Sequence, residues 1–108
     1  MEPEPNPPLP IAPEQRLLAT IVFTDVAGFS SRMQSDEGKT LKLVDRDFTT
    51  MREFAKQLSG TVLKSTGDGL LLYFTSAVHA VEWALRTQRF FAEKANEEAA
   101  DNVLKHRV

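Results

Sequence analysis

The chain has no cysteine. That removes disulfides, thiol catalysis and cysteine-rich zinc sites, and it suits a reducing compartment such as the cytoplasm. No apolar run approaches the ~20 residues that span a bilayer, so no membrane segment is expected. No secretory signal is expected either, because the start, Met1-Glu2-Pro3-Glu4-Pro5, is acidic and proline-rich. Charge of one sign is also missing: 13 basic residues face 15 acidic ones, a net charge of −2. No bulk field favours anionic lipid or nucleic acid, and no nucleic-acid partner is expected. Proline is absent after Pro13, all six lying before residue 14. Residues 1–14 read as a disordered or polyproline-like tail, with a ligand for a proline-recognition domain as the functional alternative. The remainder, 15–108, has room for one domain and a modest core. It holds no Gly-x-x-x-x-Gly-Lys-Ser/Thr phosphate loop and no serine with triad partners. Its two histidines, His79 and His106, lie far apart without an acidic cluster at ligand spacing, and both read as ordinary residues.

What is there begins with Leu17 to Asp25, which reads as one strand. Leu17, Leu18, Ala19, Ile21, Val22 and Phe23 are apolar on both side-chain parities. A strand apolar on both faces is expected in the interior of its sheet. It ends on Asp25, followed by the small-residue turn Val26-Ala27-Gly28 and a helix cap at Ser30 or Ser31. A carboxylate at a strand's end can hold a cation, and the N–H groups of the turn beside it can hold phosphate oxygens.

A helix follows, opened by Ser35-Asp36-Glu37, whose cap and acids suit the helix dipole. Leu41, Val44, Phe48, Met51, Ala55 and Leu58 make its apolar face, and Gly60 ends it. Two short strands, Thr61 to Ser65 and Leu70 to Phe74, flank Thr66-Gly67-Asp68-Gly69, a strong hairpin signal. Ser76 caps a last helix with the face Ala77, Val81, Ala84, Leu85, Gln88, Phe91, Ala92 and Ala95, and Trp83 near the edge. Glu97 to Asn102 is polar, and Lys105 to Val108 looks like a strand beginning.

The order strand, helix, strand, strand, helix, incipient strand is that of an α+β, ferredoxin-like split βαβ sheet with helices on one face, cut short before its last strands. The first strand and 61–65 should run parallel, joined by a right-handed helical crossover. Asp25 and Asp68 should then meet at one sheet edge. Two carboxylates about 5 Å apart repel by roughly 3 kcal/mol at an effective dielectric near 20. A cation relieves that repulsion. Hard oxygen ligands suit two Mg²⁺ or Mn²⁺ ions with nucleotide phosphates completing the shell, the layout of two-metal phosphoryl chemistry.

Phe23-Thr24-Asp25-Val26-Ala27-Gly28-Phe29-Ser30, then Lys64-Ser65-Thr66-Gly67-Asp68-Gly69, resembles the class III adenylate/guanylate cyclase catalytic domain. The resemblance covers roughly residues 15 to 108, the N-terminal part of such a domain. It implies conversion of ATP to cyclic AMP and pyrophosphate, by attack of the ribose 3′-oxygen on the α-phosphate, in cyclic-nucleotide signalling. Asp25 and Asp68 match the catalytic pair that binds both ions, and Val26 the residue that gives a backbone carbonyl to one of them. Ala27, Gly28, Phe29 and Ser30 match the turn against the triphosphate, and Gly67 lies in the second motif's turn. Lys64 matches the purine-reading position, where lysine goes with adenine and glutamate with guanine. An ammonium donates to an adenine ring nitrogen, whereas guanine presents donors there.

The chain also departs from the family. The resemblance implies a second base-contacting residue, an asparagine and an arginine beyond the strand that starts at His106-Arg107-Val108, and no Asn or Arg here sits in that motif. The family's site forms between two domains, so a homodimer or a paired cyclase domain is the implied partner. The alternative is a catalytically incompetent nucleotide- or metal-binding or dimerisation fragment. A diguanylate cyclase would need a Gly-Gly-Asp/Glu-Glu-Phe-like hairpin, which Thr-Gly-Asp-Gly is not.

Overall fold

A computed structural model describes residues 18–108; the proline-rich stretch 1–14 and Leu17 lie outside the described residues. The opening strand is shorter than its apolar run. Thr20–Phe23 forms β1, and after one residue Asp25–Val26 forms β2. β1 pairs antiparallel with Leu70–Phe74 (β4), which pairs antiparallel with Thr61–Ser65 (β3), in the order β1-β4-β3. β1 and β3 therefore run in the same direction, as the crossover requires, with β4 between them.

β4, not β1, is the central strand. Leu70, Leu72 and Phe74 point into the core, whereas Ile21 and Phe23 of β1 are exposed, Phe23 at 69%. The reason is that the core lies on one face of the sheet. Val22 packs toward it, and the other parity of β1, apolar as it is, lies on the open face.

A seven-residue helix, Phe29–Ser35 (α1), precedes the long Glu37–Gln57 (α2). The cap expected at Ser30 or Ser31 is instead Gly28, which turns the chain at φ +68 with no side-chain bond. That left-handed conformation costs glycine little. Asp36 ends α1 and caps α2, accepting from the Lys39 N–H at 3.0 Å. The buried face of α2 is Thr40, Leu43, Val44, Asp47, Phe48, Met51 and Ala55. Leu41, expected there, is exposed, and a charged residue, Asp47, takes a place in the core.

At the end of α2 the Gly60 N–H reaches Ala55 O at 2.8 Å and the Ser59 N–H reaches Lys56 O at 3.3 Å. This is a Schellman motif whose left-handed residue is Ser59, at φ 59, rather than Gly60. Gly60 is small for another reason: a Cβ there would overlap the Phe74 ring.

Ala77–Glu97 forms α3, capped by Ser76 as expected. Its buried residues are Ala80, Trp83, Thr87 and Phe91. Trp83 is fully buried and donates from Nε1 to Met51 O at 3.0 Å. The face expected from the alanines and valines is rotated from this one; Val81, Leu85, Gln88, Ala92 and Ala95 are exposed. Small residues made that stripe look like the core, but the large ring of Trp83 sets which side packs. A short 3₁₀ turn, Ala100–Asn102, leads to His106–Arg107 (β5), which pairs antiparallel with β2. Among the described residues no helix is long and apolar enough to cross a membrane.

Candidate functional site

The two motifs meet where β1 gives way to β2. The Thr24 N–H donates to Leu70 O at 3.0 Å, and the Leu70 N–H donates to Thr24 Oγ1 at 2.9 Å. Gly69 passes so close that a Cβ would overlap the carbonyl oxygen of Thr24. The β3–β4 turn is closed by Thr66, whose N–H donates to Gly69 O at 2.8 Å and whose Oγ1 accepts from the Gly69 N–H at 3.0 Å. The Phe29 ring at the head of α1 lies 3.7 Å from where a Cβ on Gly67 would stand. Residues 24–29 and 66–70 therefore form one cluster at one edge of the sheet, where the parallel directions of β1 and β3 place them.

Asp25 stands opposite Arg107 in the β2–β5 register. The guanidinium grips both carboxylate oxygens, Nε to Oδ1 at 2.6 Å and Nη2 to Oδ2 at 3.1 Å. The hydrogen bond to Asp25, then the charge of Asp25, hold the Arg107 pKa above its ordinary value against desolvation, with the charge of Asp68 the least of the causes. Asp68 is partly buried in its turn, with Thr66 Oγ1 at 3.5 Å from its Oδ1.

Among the described residues no three His, Cys, Asp or Glu side chains converge on a metal position. The donors at this edge are two carboxylates, with the Val26 backbone beside them. Carboxylates are hard oxygen donors of the kind that suits Mg²⁺ or Mn²⁺, whose remaining positions go to water or phosphate. Of the turn residues, the Ala27 N–H is taken, donating to Lys105 O at 2.8 Å. Gly28, Phe29 and Ser30 follow at the head of α1.

Lys64 is aimed by a feature that sequence reasoning missed. β3 pairs Val62 with Leu72 but Lys64 with Leu71, so Leu63 forms a β-bulge. Without it, the alternation would turn Lys64 to the core side with Leu70. With it, Lys64 shares the open face with Leu71, and through Leu71 with Phe23. Lys64 is exposed there, two strand spacings or about 10 Å across the sheet from β1. By the same alternation Asp25 follows Ile21 and Phe23 on that face.

Two further residues escaped sequence reasoning. Arg107 carries no motif of its own; the expected strand at 105–108 named no partner for Asp25. His106, read as ordinary, is buried with Nε2 2.8 Å from Asp47 Oδ2 and its ring 4.5 Å from that of Phe91. The one signal was Asp47 itself, an acid at a core position of α2.

No protein-family model matches the chain. The curated protein named "Putative adenylate cyclase 3" of Rhizobium meliloti (strain 1021) is 36% identical over 95 residues, 87% of this chain and 16% of that protein. A bacterial light-regulated adenylyl cyclase structure superposes with a TM-score of 0.72 at 20% identity, covering 82% of this chain and 49% of that one. A guanylyl cyclase gives 0.69 at 22% identity, over 82% and 50%. The adenylyl cyclase from P. aeruginosa gives 0.67 at 20% identity, over 82% and 52%. The chain has the fold of these adenylyl and guanylyl cyclases, spans about half the length of the solved chains, and spans less than a fifth of the curated relative.

Proposed function

We propose that the chain is the metal-binding part of a class III nucleotidyl cyclase domain that converts ATP to cyclic AMP and pyrophosphate. The observation that supports this reading is the joining of the two motif segments at one sheet edge, where Thr24 and Leu70 exchange hydrogen bonds and Gly69 passes against the Thr24 carbonyl, with Asp25 and Asp68 each next to that contact in sequence. Asp25 and Asp68, with the Val26 carbonyl, would hold two Mg²⁺ or Mn²⁺ ions. When bound, such ions activate the attacking 3′-oxygen and stabilise the charge developing at the α-phosphate. Gly28, Phe29 and Ser30, with Gly67 across from them, lie against the triphosphate; Ala27 shapes that turn through its backbone bond to Lys105. Lys64, turned to the open face by the bulge, donates to the adenine ring nitrogen and so sets the preference for ATP over GTP.

This assignment supplies one half of a reaction centre. The ribose-orienting asparagine and the transition-state arginine come from a paired cyclase domain that carries them, in the cytoplasm; a homodimer of residues 1–108 would supply the metal half twice and those two residues never. An arginine of that kind contributes about 10³ to 10⁵ in rate in phosphoryl transfer, so residues 1–108 alone should be nearly inactive. The test is cyclic AMP formation from Mn²⁺-ATP by residues 1–108, alone and mixed with a homologous domain whose metal aspartates are mutated. Activity in the mixture only supports the half-site reading; robust activity from the chain alone contradicts it. A second reading, a non-catalytic pairing module, is favoured by Ile21 and Phe23, exposed and apolar on the open face. It predicts dimer formation with no activity in the mixture.

A further inference from the structure

The contact between Arg107 and Asp25 bears on how a cation enters the site. The guanidinium engages both oxygens of Asp25, so it stands where a metal ligated by that carboxylate would need to bind. Its backbone is not free to drift. His106 beside it is buried and tied to Asp47 of α2, the Gln88 side chain donates to His106 O at 3.0 Å, and Lys105 O accepts the Ala27 N–H. The side chain of Arg107 is free to move, being 61% exposed against 48% for Asp25. A solvent-screened pair of that kind is weak. A single positive charge on the two oxygens of Asp25 is outcompeted by a doubly charged ion at the same oxygens.

Resting on the reading of Asp25 as a metal ligand, we propose that Arg107 is the resident counter-ion of the metal site. It keeps the Asp25 carboxylate aimed at the sheet edge in the absence of metal, and it must let go of Asp25 when a divalent cation binds. Arg107 thereby sets the metal affinity of the site from a position that no motif assigns. The cost of displacing it is small and reversible, so the site stays ordered when empty yet opens at moderate cation concentration.

The experiment compares wild type with Arg107→Gln, a change at an exposed side chain that leaves Asp47 and His106 intact. Mn²⁺ alone is titrated into each, with free Mn²⁺ read by electron paramagnetic resonance. Arg107→Gln should bind two- to fivefold more tightly, the range an exposed ion pair contributes. Arg107→Lys, which keeps the charge and loses the two-point grip, should fall between them. In wild type, the Arg107 Nε–H resonance should lose its hydrogen-bonded shift as Mg²⁺ is added. Equal or weaker binding by Arg107→Gln, with Asp25→Asn still abolishing the wild-type affinity, overturns this proposal and leaves the metal assignment standing. Binding by neither protein overturns both.

Discussion

Nε2 of His106 stands 2.8 Å from Oδ2 of Asp47, and both side chains are almost wholly buried. This pair fastens β5 to the middle of α2. Arg46 adds a second contact, Nε to Asp47 Oδ1 at 3.0 Å, and reaches Asn102 O at 3.1 Å, tying down the segment that leads into β5. Removing one partner of a buried hydrogen bond leaves the other unsatisfied, which costs about 1–3 kcal/mol. His106→Ala should destabilise the chain by that order in urea unfolding and loosen amide protection at residues 105–107. Asp47→Asn, which keeps an acceptor in place, should cost less. A loss under about 1 kcal/mol for His106→Ala would mean that β5 is held by something else.

The end of α2 gives two substitutions of opposite sign. Ser59 holds a left-handed conformation that a side chain disfavours, so Ser59→Gly should stabilise by about 0.5–1 kcal/mol. Gly60→Ala forces a methyl into the Phe74 ring and should destabilise by about 1–3 kcal/mol. Thermal unfolding of the two variants distinguishes this arrangement from one in which Gly60 supplies the left-handed turn, where the order would reverse.

Thr24 and Gly69 hold the two motifs together. Thr24→Val removes the acceptor of the buried Leu70 N–H and should cost about 1–3 kcal/mol. Gly69→Ala should push its turn off the Thr24 carbonyl, shifting the amide resonances of residues 24–26 and 66–70 together. Shifts confined to the turn would show that the motifs are not coupled through this contact.

Lys39 Nζ lies 2.8 Å from Asp101 Oδ2 in the approach to β5. That hydrogen bond, then the charge of Lys39, hold the Asp101 carboxyl below its ordinary 3.8. The folded value lies below the unfolded one, so the contact stabilises the fold above about pH 3.8 and is lost as pH falls through the lower folded value. Asp101→Asn should flatten that part of the stability–pH curve, and salt should weaken the effect in wild type. An unchanged acid limb in Asp101→Asn would show the contact to be idle.

Much of the architecture was legible in local signals. Asp36 and Ser76 are caps because their side chains accept backbone N–H groups, a short-range property that sequence displays. The split βαβ order, the common direction of β1 and β3, and the meeting of the strand ends near residues 24 and 69 follow from connection rules alone. What was hidden depends on contacts distant in sequence. Ile21 and Phe23 look interior because they are apolar, yet among the described residues the helices pack on the other face of the sheet. The face of α3 is chosen by Trp83, a single large ring against many small side chains. The Leu63 bulge leaves no mark on composition, although it decides which way Lys64 points. Arg107 opposite Asp25 is a matter of register, which a two-residue strand does not encode locally.

The proposed function stands on Asp25 and Asp68 forming one divalent-cation site against a nucleotide. The direct measurement is paramagnetic broadening by substoichiometric Mn²⁺ in the presence of ATP, followed at each backbone amide. Broadening should centre on residues 25–30 and 66–69 and spare α3, and Asp25→Ala should weaken it. Resonances at 25–30 and 66–69 that stay sharp while others broaden would contradict the claim.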